Sequence, residues 1–162
     1  MPLPAKKPSD SYTEMVQVVL PNDANPLGFL LGGTAMHLID IAGAIACHRH
    51  TRSHVVTAAV DGLQFLHPIQ IGDLVVLKAC VTAAFHTSLE VEVEVFSEGI
   101  LSGERQLTSR AYLTFVAIDR AGNRVLIPPL QLDTEQERQR ARDAEARRAA
   151  RLEAKKKLGS RA

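Results

Sequence analysis

The sequence predicts an α+β fold in which an antiparallel sheet of about five strands wraps around one long central helix, with a charged helix added at the C-terminus. Three observations carry this expectation. A helix-length run from about Gly33 to Arg49 is apolar on nearly every side and holds four alanines, so it must be covered on most of its surface. One segment before it and four after it are rich in β-branched residues, and the short turns between consecutive late segments favour antiparallel pairing. A single buried helix and one sheet are most simply combined by curling the sheet around the helix.

Taken in order, residues 1–11 contain three prolines and no apolar stretch of signal-peptide length, and they read as a flexible leader to a domain spanning 12–130. Tyr12 to Leu20 forms a first strand, ended by the turn-forming Pro21-Asn22-Asp23-Ala24-Asn25-Pro26. The helix follows the double glycine Gly32-Gly33, and His48, His50 and His54 mark its end. β-Branched content rises again from His54, and Pro68 with Gly72-Asp73 separates that strand from Leu74 to Val81. Leu89 to Val95 alternates strictly, placing Leu and Val on one face and Glu90, Glu92 and Glu94 on the other. The acidic face is expected to meet solvent or a neighbouring subunit. Leu107 to Ile118 is the last strand, closed by the turn Asp119-Arg120-Ala121-Gly122-Asn123.

Residues 131–162 differ in kind. Thr134-Glu135-Gln136-Glu137 has the form of a capping box, and Arg, Ala, Glu and Lys dominate the segment from there to the C-terminus. With almost no large apolar residue, this helix is expected to be largely solvated. Its arginines, or Lys155-Lys156-Lys157, are the candidates for meeting phosphates of a ligand or of RNA. From Asp133 onward ten basic residues face six acidic ones, so a tail of +4 succeeds a domain of −3 and the whole chain carries +1. That balance, with aromatics at 4% and no tryptophan, disfavours nucleic-acid binding. Cys47 and Cys80 lie apart in apolar surroundings, the pattern of reduced core thiols in a cytoplasmic protein. No run approaches the roughly 20 apolar residues of a membrane span.

The residue that says most about chemistry is Asp40, the one carboxylate in the apolar run from Thr34 to Cys47. A carboxylate out of water without a partner costs several kcal/mol or more. At helical spacing it shares a face with Met36, His37, Gly43 and Ala44, and the small residues are expected to leave room beside it for another helix or a ligand. A structural ion pair, with His37 or with an arginine from elsewhere, is the alternative. Just upstream, Asn25, Gly28 and Gly32-Gly33 precede or open the helix. A helix N-terminus offers unpaired N–H groups and positive potential to a carbonyl oxygen, and glycine allows close approach. Asp40 lies one and a half to two turns further on, placed to hold and deprotonate a water, with Asn25 able to orient that water or the carbonyl. Water, base and oxyanion donors make a hydrolase. The chain has no G-x-S-x-G motif, and Cys47 is in too apolar a setting for a nucleophile. The histidines and Cys47 are read as helix-end residues rather than metal ligands. His67 is read as a turn residue, and Asp61 and Asp73 as structural.

The ordered set from Leu20-Pro21-Asn22-Asp23-Ala24-Asn25-Pro26-Leu27-Gly28 through Gly32-Gly33 to Asp40, then Val55-Val56-Thr57, Gly72-Asp73, Thr87-Ser88 and Ser102-Gly103-Glu104-Arg105, resembles the hotdog-fold acyl-CoA thioesterases. Within them it is most similar to the bacterial YciA-like and the mammalian brain-type cytosolic acyl-CoA hydrolases, over about Tyr12 to Pro129. The resemblance implies two protomers joined into one continuous sheet, often three such dimers in a hexamer, and active sites between protomers. By it, Asp40 is the general base or nucleophile and Asn25 its partner, contributed by the other protomer. Gly32 and Gly33 present N–H groups to the thioester carbonyl, and Thr87, Ser88, Gly28 and Phe29 contact the substrate. No cofactor or metal is implied, coenzyme A being part of the substrate. Phe29, Leu30, Phe65 and Phe85 are the candidates for setting acyl-chain length. A non-catalytic acyl-CoA-binding module is the leading alternative. A hotdog hydratase would be expected to carry a His-Phe-Pro segment, which the chain lacks.

Overall fold

The structure is a computed structural model and describes residues 1–160. Its elements run β1 (Thr13–Val18), α1 (Gly32–Thr51), β2 (His54–Phe65), β3 (Leu74–Ala84), β4 (Ser88–Glu98), β5 (Arg105–Ile118) and α2 (Glu135–Gly159), with 3-10 turns at Pro8–Ser11 and Pro21–Asp23. The five strands form one antiparallel sheet in the order β1-β3-β4-β5-β2. This is the α+β hotdog arrangement that the sequence predicts. Register shifts between Thr57 and Ala59, Asp61 and Gln64, Val81 and Ala83, and Val95 and Phe96 bend the strands, since a bulge kinks a strand and increases its twist.

The concave face of the sheet closes on α1. Ala42, Ala46 and Cys47 are buried against a cluster that includes Leu77, Val91, Val93, Leu113 and Phe115. Small side chains on the helix let the strands come close. A methyl added at Gly43 would stand 3.1 Å from both Phe115 Cε2 and Val91 Cγ1, so α1 already lies at contact distance. Gly43 therefore serves packing against the sheet, and does not open the space beside Asp40 that its helical spacing suggests. Burial pushes the Cys47 thiol far above its ordinary range, as expected of a core residue.

Both ends of the chain rest on the domain. The leader is held against the domain: Ser11 is buried, its hydroxyl donating to Pro8 O at 2.7 Å and accepting from Val81 N–H at 3.0 Å. Lys6 N–H donates to Pro129 O, and Gln131 N–H to Lys6 O. The C-terminal helix is capped by Thr134 and Glu137 as predicted, and most of it faces solvent, but it docks on the convex face of the sheet. Ala144 is fully buried there. Arg147 makes two hydrogen bonds to Glu90, Nε to Oε2 at 3.0 Å and Nη2 to Oε1 at 2.8 Å, and its guanidinium lies 3.6 Å over the Tyr112 ring. Thr82 Oγ1 donates a third bond to the same carboxylate at 2.7 Å. Arg151 pairs with Asp61 at 2.7 Å, and Arg110 with Glu94 at 2.7 Å. On the acidic face of β4, Glu90 thus meets the chain's own basic helix, while Glu94 meets Arg110 of β5. Glu90 is only 2% exposed.

Candidate active site

The N-terminus of α1 stands between two cavities. One, of about 320 Å³, is lined by Asn25, Phe29, Leu30, Gly32, Phe65 and Val95 among others. The second, of about 280 Å³, is lined by Gly33, Met36, Asp40, Val60, Leu63 and Leu113 among others. Both are chiefly apolar with few polar groups, the usual make-up of small-molecule sites. No side chain caps this helix, so the N–H groups of its first turn remain for a ligand. A Cβ built on Gly33 would meet nothing within 4 Å, and a ligand atom can approach the backbone there.

Asp40 is half-buried and held by one partner. Thr57 Oγ1, on β2, donates to Asp40 Oδ1 at 2.6 Å. This short bond fixes the carboxylate and leaves Oδ2 to accept a proton. Neither His37 nor an arginine pairs with Asp40 among the described residues, so the structural ion pair is not what the chain builds. In the sequence Thr57 stands out only as part of a family motif. The one further signal is a hydroxyl in a strand that must run beside the helix carrying Asp40.

Asn25 closes its own loop. Its Oδ1 accepts from Leu27 N–H at 3.0 Å and Phe29 N–H at 3.1 Å, and its backbone N–H donates to Phe29 O at 2.8 Å. Gly28, at φ +84°, makes the return turn, a conformation that glycine adopts without penalty. With its oxygen engaged, Asn25 presents the side-chain NH2 as a donor, suited to a carbonyl oxygen. Within one chain Asn25 and Asp40 line different cavities and share no hydrogen bond. Phe29, Leu30 and Phe65 join Asn25 in its cavity, with His67. Phe85 does not join them: it lies elsewhere, beneath the Arg148 guanidinium at 4.7 Å.

Thr87 and Ser88 line a third cavity, between β4, β5, β2 and the far half of α2. Among the helix-end histidines, His48 is exposed and its Nδ1 lies 2.8 Å from Ser53 O. His50 departs from expectation. It is 0% exposed, with Nε2 2.7 Å from Pro128 O and Nδ1 unpartnered. Among the described residues no three histidine, cysteine or carboxylate side chains converge as a metal site would require. No helix there is long and apolar enough to cross a membrane.

Residues 27–104 match the family model of the thioesterase superfamily. The chain is 41% identical over 119 residues to the uncharacterized acyl-CoA thioester hydrolase YkhA of Bacillus subtilis, a match covering 74% of this chain and 69% of that protein. It is 30% identical to the human cytosolic acyl coenzyme A thioester hydrolase over 86% of its own length, but spans only 37% of that longer protein. An apo-hexameric acyl-CoA thioesterase superposes with a TM-score of 0.89 at 36% identity, with 94% of this chain and 97% of that one covered. The acyl-CoA hydrolase of Staphylococcus aureus, solved with butyryl coenzyme A, coenzyme A and coenzyme A disulfide, gives 0.85 at 33% identity, covering 97% and 98%. That enzyme was also solved with an asparagine, an aspartate or a threonine replaced by alanine. The three stand 15 and 17 residues apart, the same intervals that separate Asn25, Asp40 and Thr57.

Proposed function

Because the chain belongs to the thioesterase superfamily, we propose that it hydrolyses acyl-CoA thioesters to a free carboxylic acid and coenzyme A, with Asp40 and Asn25 in one site shared by two protomers. The observation that carries this reading is the division of the machinery. Asp40, tethered by Thr57, opens on one side of the α1 N-terminus, and the free amide of Asn25 opens on the other. Bringing the Asn25 face of one copy against the Asp40 face of another unites a base, an amide donor and a helix N-terminus.

In this reading the thioester carbonyl lies against the Gly32 and Gly33 N–H groups and the Asn25 NH2, which stabilise the negative charge that grows on oxygen. Asp40 takes a proton from the water that adds to the carbonyl carbon, or adds to that carbon itself and forms an anhydride that water then opens. The C–S bond then breaks and coenzyme A leaves as a thiolate, a leaving group good enough to need no metal and no cofactor. Phe29, Gly28 and the apolar walls receive the acyl and pantetheine parts, and Thr87 and Ser88 contact coenzyme A.

The assembly follows from exposed apolar surface. β2 is an edge strand, and Val56, Val60, Phe65, Leu66, Met36 and Leu31 are each about half exposed. An unpaired edge with apolar neighbours invites strand pairing. We place the dimer there, joining two sheets into one, and three such dimers in a hexamer, in keeping with a hexameric neighbour. Two unpaired cysteines and the cytosolic human relative favour a cytoplasmic setting. The test is release of free thiol from acyl-CoA substrates of two to sixteen carbons, with Asp40→Ala in parallel. We expect the variant to lose most of kcat, in the order of 10²-fold or more, with its oligomer intact. Turnover in the parent that survives the substitution would remove Asp40 from the mechanism. Binding without turnover in the parent would make the protein an acyl-CoA-binding module.

A further inference from the structure

We infer that the cavity on the Asn25 side of α1 selects a short acyl chain bearing an oxygen of its own, a hydroxyl or keto group, and that Ser109 on the cavity floor recognises it. The inference rests on the proposed acyl-CoA hydrolysis and narrows its substrate. By strand alternation the concave row of β5 reads Ser109, Ala111, Leu113, Phe115 and Ala117, and all five are buried. The last four belong to the apolar core beneath α1. Ser109 is the polar member of the row. It pairs with Val95 of β4 and with Phe65 of β2, and all three line the cavity together with Ala35 of α1. With Ala35 and Ser109 both small, about 320 Å³ stays open between the helix and the sheet.

The Ser109 hydroxyl is free and within reach of a ligand. Thr108 beside it donates its own hydroxyl to Val95 O at 3.0 Å, whereas Ser109 Oγ makes no hydrogen bond among the described residues. The buried side-chain atoms there that lack both a partner and open surface are His50 Nδ1 and Thr114 Oγ1. Ser109 Oγ is not one of them, so the little surface it keeps, in a residue 2% exposed, opens on the cavity it lines. His67 also lines the cavity but is exposed, which leaves Ser109 as the free polar group of the sheltered end. In the proposed site the thioester carbonyl lies against Gly32 and Asn25, and both line this same cavity, so the acyl chain leads into it. A saturated chain would strip Ser109 of water and return no hydrogen bond, a loss that a buried hydroxyl feels in full. A hydroxyl or keto oxygen on the chain restores the bond, since serine both donates and accepts. Sites built to hydrogen-bond a substrate oxygen reject the analogue without it more strongly than apolar pockets sort methylenes.

The experiment uses the full-length chain and has two arms. Thiol release is measured on butyryl-CoA, 3-hydroxybutyryl-CoA, 4-hydroxybutyryl-CoA and 3-oxobutyryl-CoA, for the parent and for Ser109→Ala. The parent should favour at least one oxygenated chain over butyryl-CoA by about tenfold or more in kcat/KM. Ser109→Ala should bring that ratio close to one. A serine that only shapes the fold would instead lower kcat/KM for every substrate alike and leave the ratio standing. A parent without the preference, or a preference that survives Ser109→Ala, overturns the assignment. The second arm needs no turnover: calorimetric titration of both proteins with the uncleavable thioethers S-butyl-CoA, S-(3-hydroxybutyl)-CoA and S-(4-hydroxybutyl)-CoA. If the parent cleaves no thioester, the proposed activity falls and the titration decides alone. Tighter binding of a hydroxylated thioether that is lost in Ser109→Ala then upholds the pocket, and equal affinities overturn it.

Discussion

Thr57 has one visible task, a 2.6 Å hydrogen bond to Asp40 Oδ1, so its removal should disturb orientation and little else. A hydrogen bond to a charged group contributes about 1.5–3 kcal/mol. Thr57→Val, which keeps the shape of the side chain, should lower kcat by roughly tenfold or more. KM and Tm should stay near the parent values, and steady-state kinetics with a thermal melt would check all three. A loss confined to KM would mean that Thr57 meets substrate instead. Asp40 is legible in the sequence because a carboxylate in an apolar helix run is costly without a purpose. Its actual partner is not, because a threonine in a β-rich segment looks like any other strand former until the helix is laid beside it. His50 escapes sequence reasoning for a related cause. Its neighbours His48 and Arg49 point outward, and only the return of Pro128 over the end of α1 buries the one that points inward.

At the level of elements, the docking of α2 turns on one ion pair. Arg147 is the main partner of a Glu90 carboxylate that is almost wholly buried. Removing one member of such a pair leaves a charge without compensation, at a cost of about 3 kcal/mol or more. Arg147→Met should therefore lower stability by about that amount in chemical denaturation, and adding Glu90→Gln should recover part of it. No recovery would mean that Arg147 contributes through its stack on Tyr112. The other end of the domain responds to pH. Burial holds the His50 imidazole below its ordinary value of 6.5, against the pull of the Pro128 carbonyl. The unfolded chain then takes up a proton that the folded chain refuses, so this contribution is full above about pH 6.5 and shrinks as the pH falls. Tm measured from about pH 7.5 down to pH 5 should fall less in His50→Gln than in the parent. The strands and α1 are readable from period and composition, since their faces are apolar. The seat of α2 is not, because it rests on alanine, arginine and glutamate, and helix periodicity in charged residues does not say which stripe is covered.

At the scale of the whole molecule, the proposed site exists only between copies. Mixed assemblies made from Asn25→Ala and Asp40→Ala chains should regain turnover, since some pairs then combine an intact Asn25 from one protomer with an intact Asp40 from the other. Light scattering and mass spectrometry would verify subunit exchange. Exchange without recovered activity would mean that each chain completes its own site. Because Asn25 and Asp40 line separate cavities of one protomer, the proposed shared site also obeys a law of mass action. Specific activity should not be constant on dilution. It should fall once the protein concentration drops below the dissociation constant of the dimer, and return with second-order kinetics when the sample is concentrated. If the site is shared as proposed, a newly synthesised protomer is inert toward thioesters until it meets another, and the rate of that encounter sets how soon hydrolysis begins.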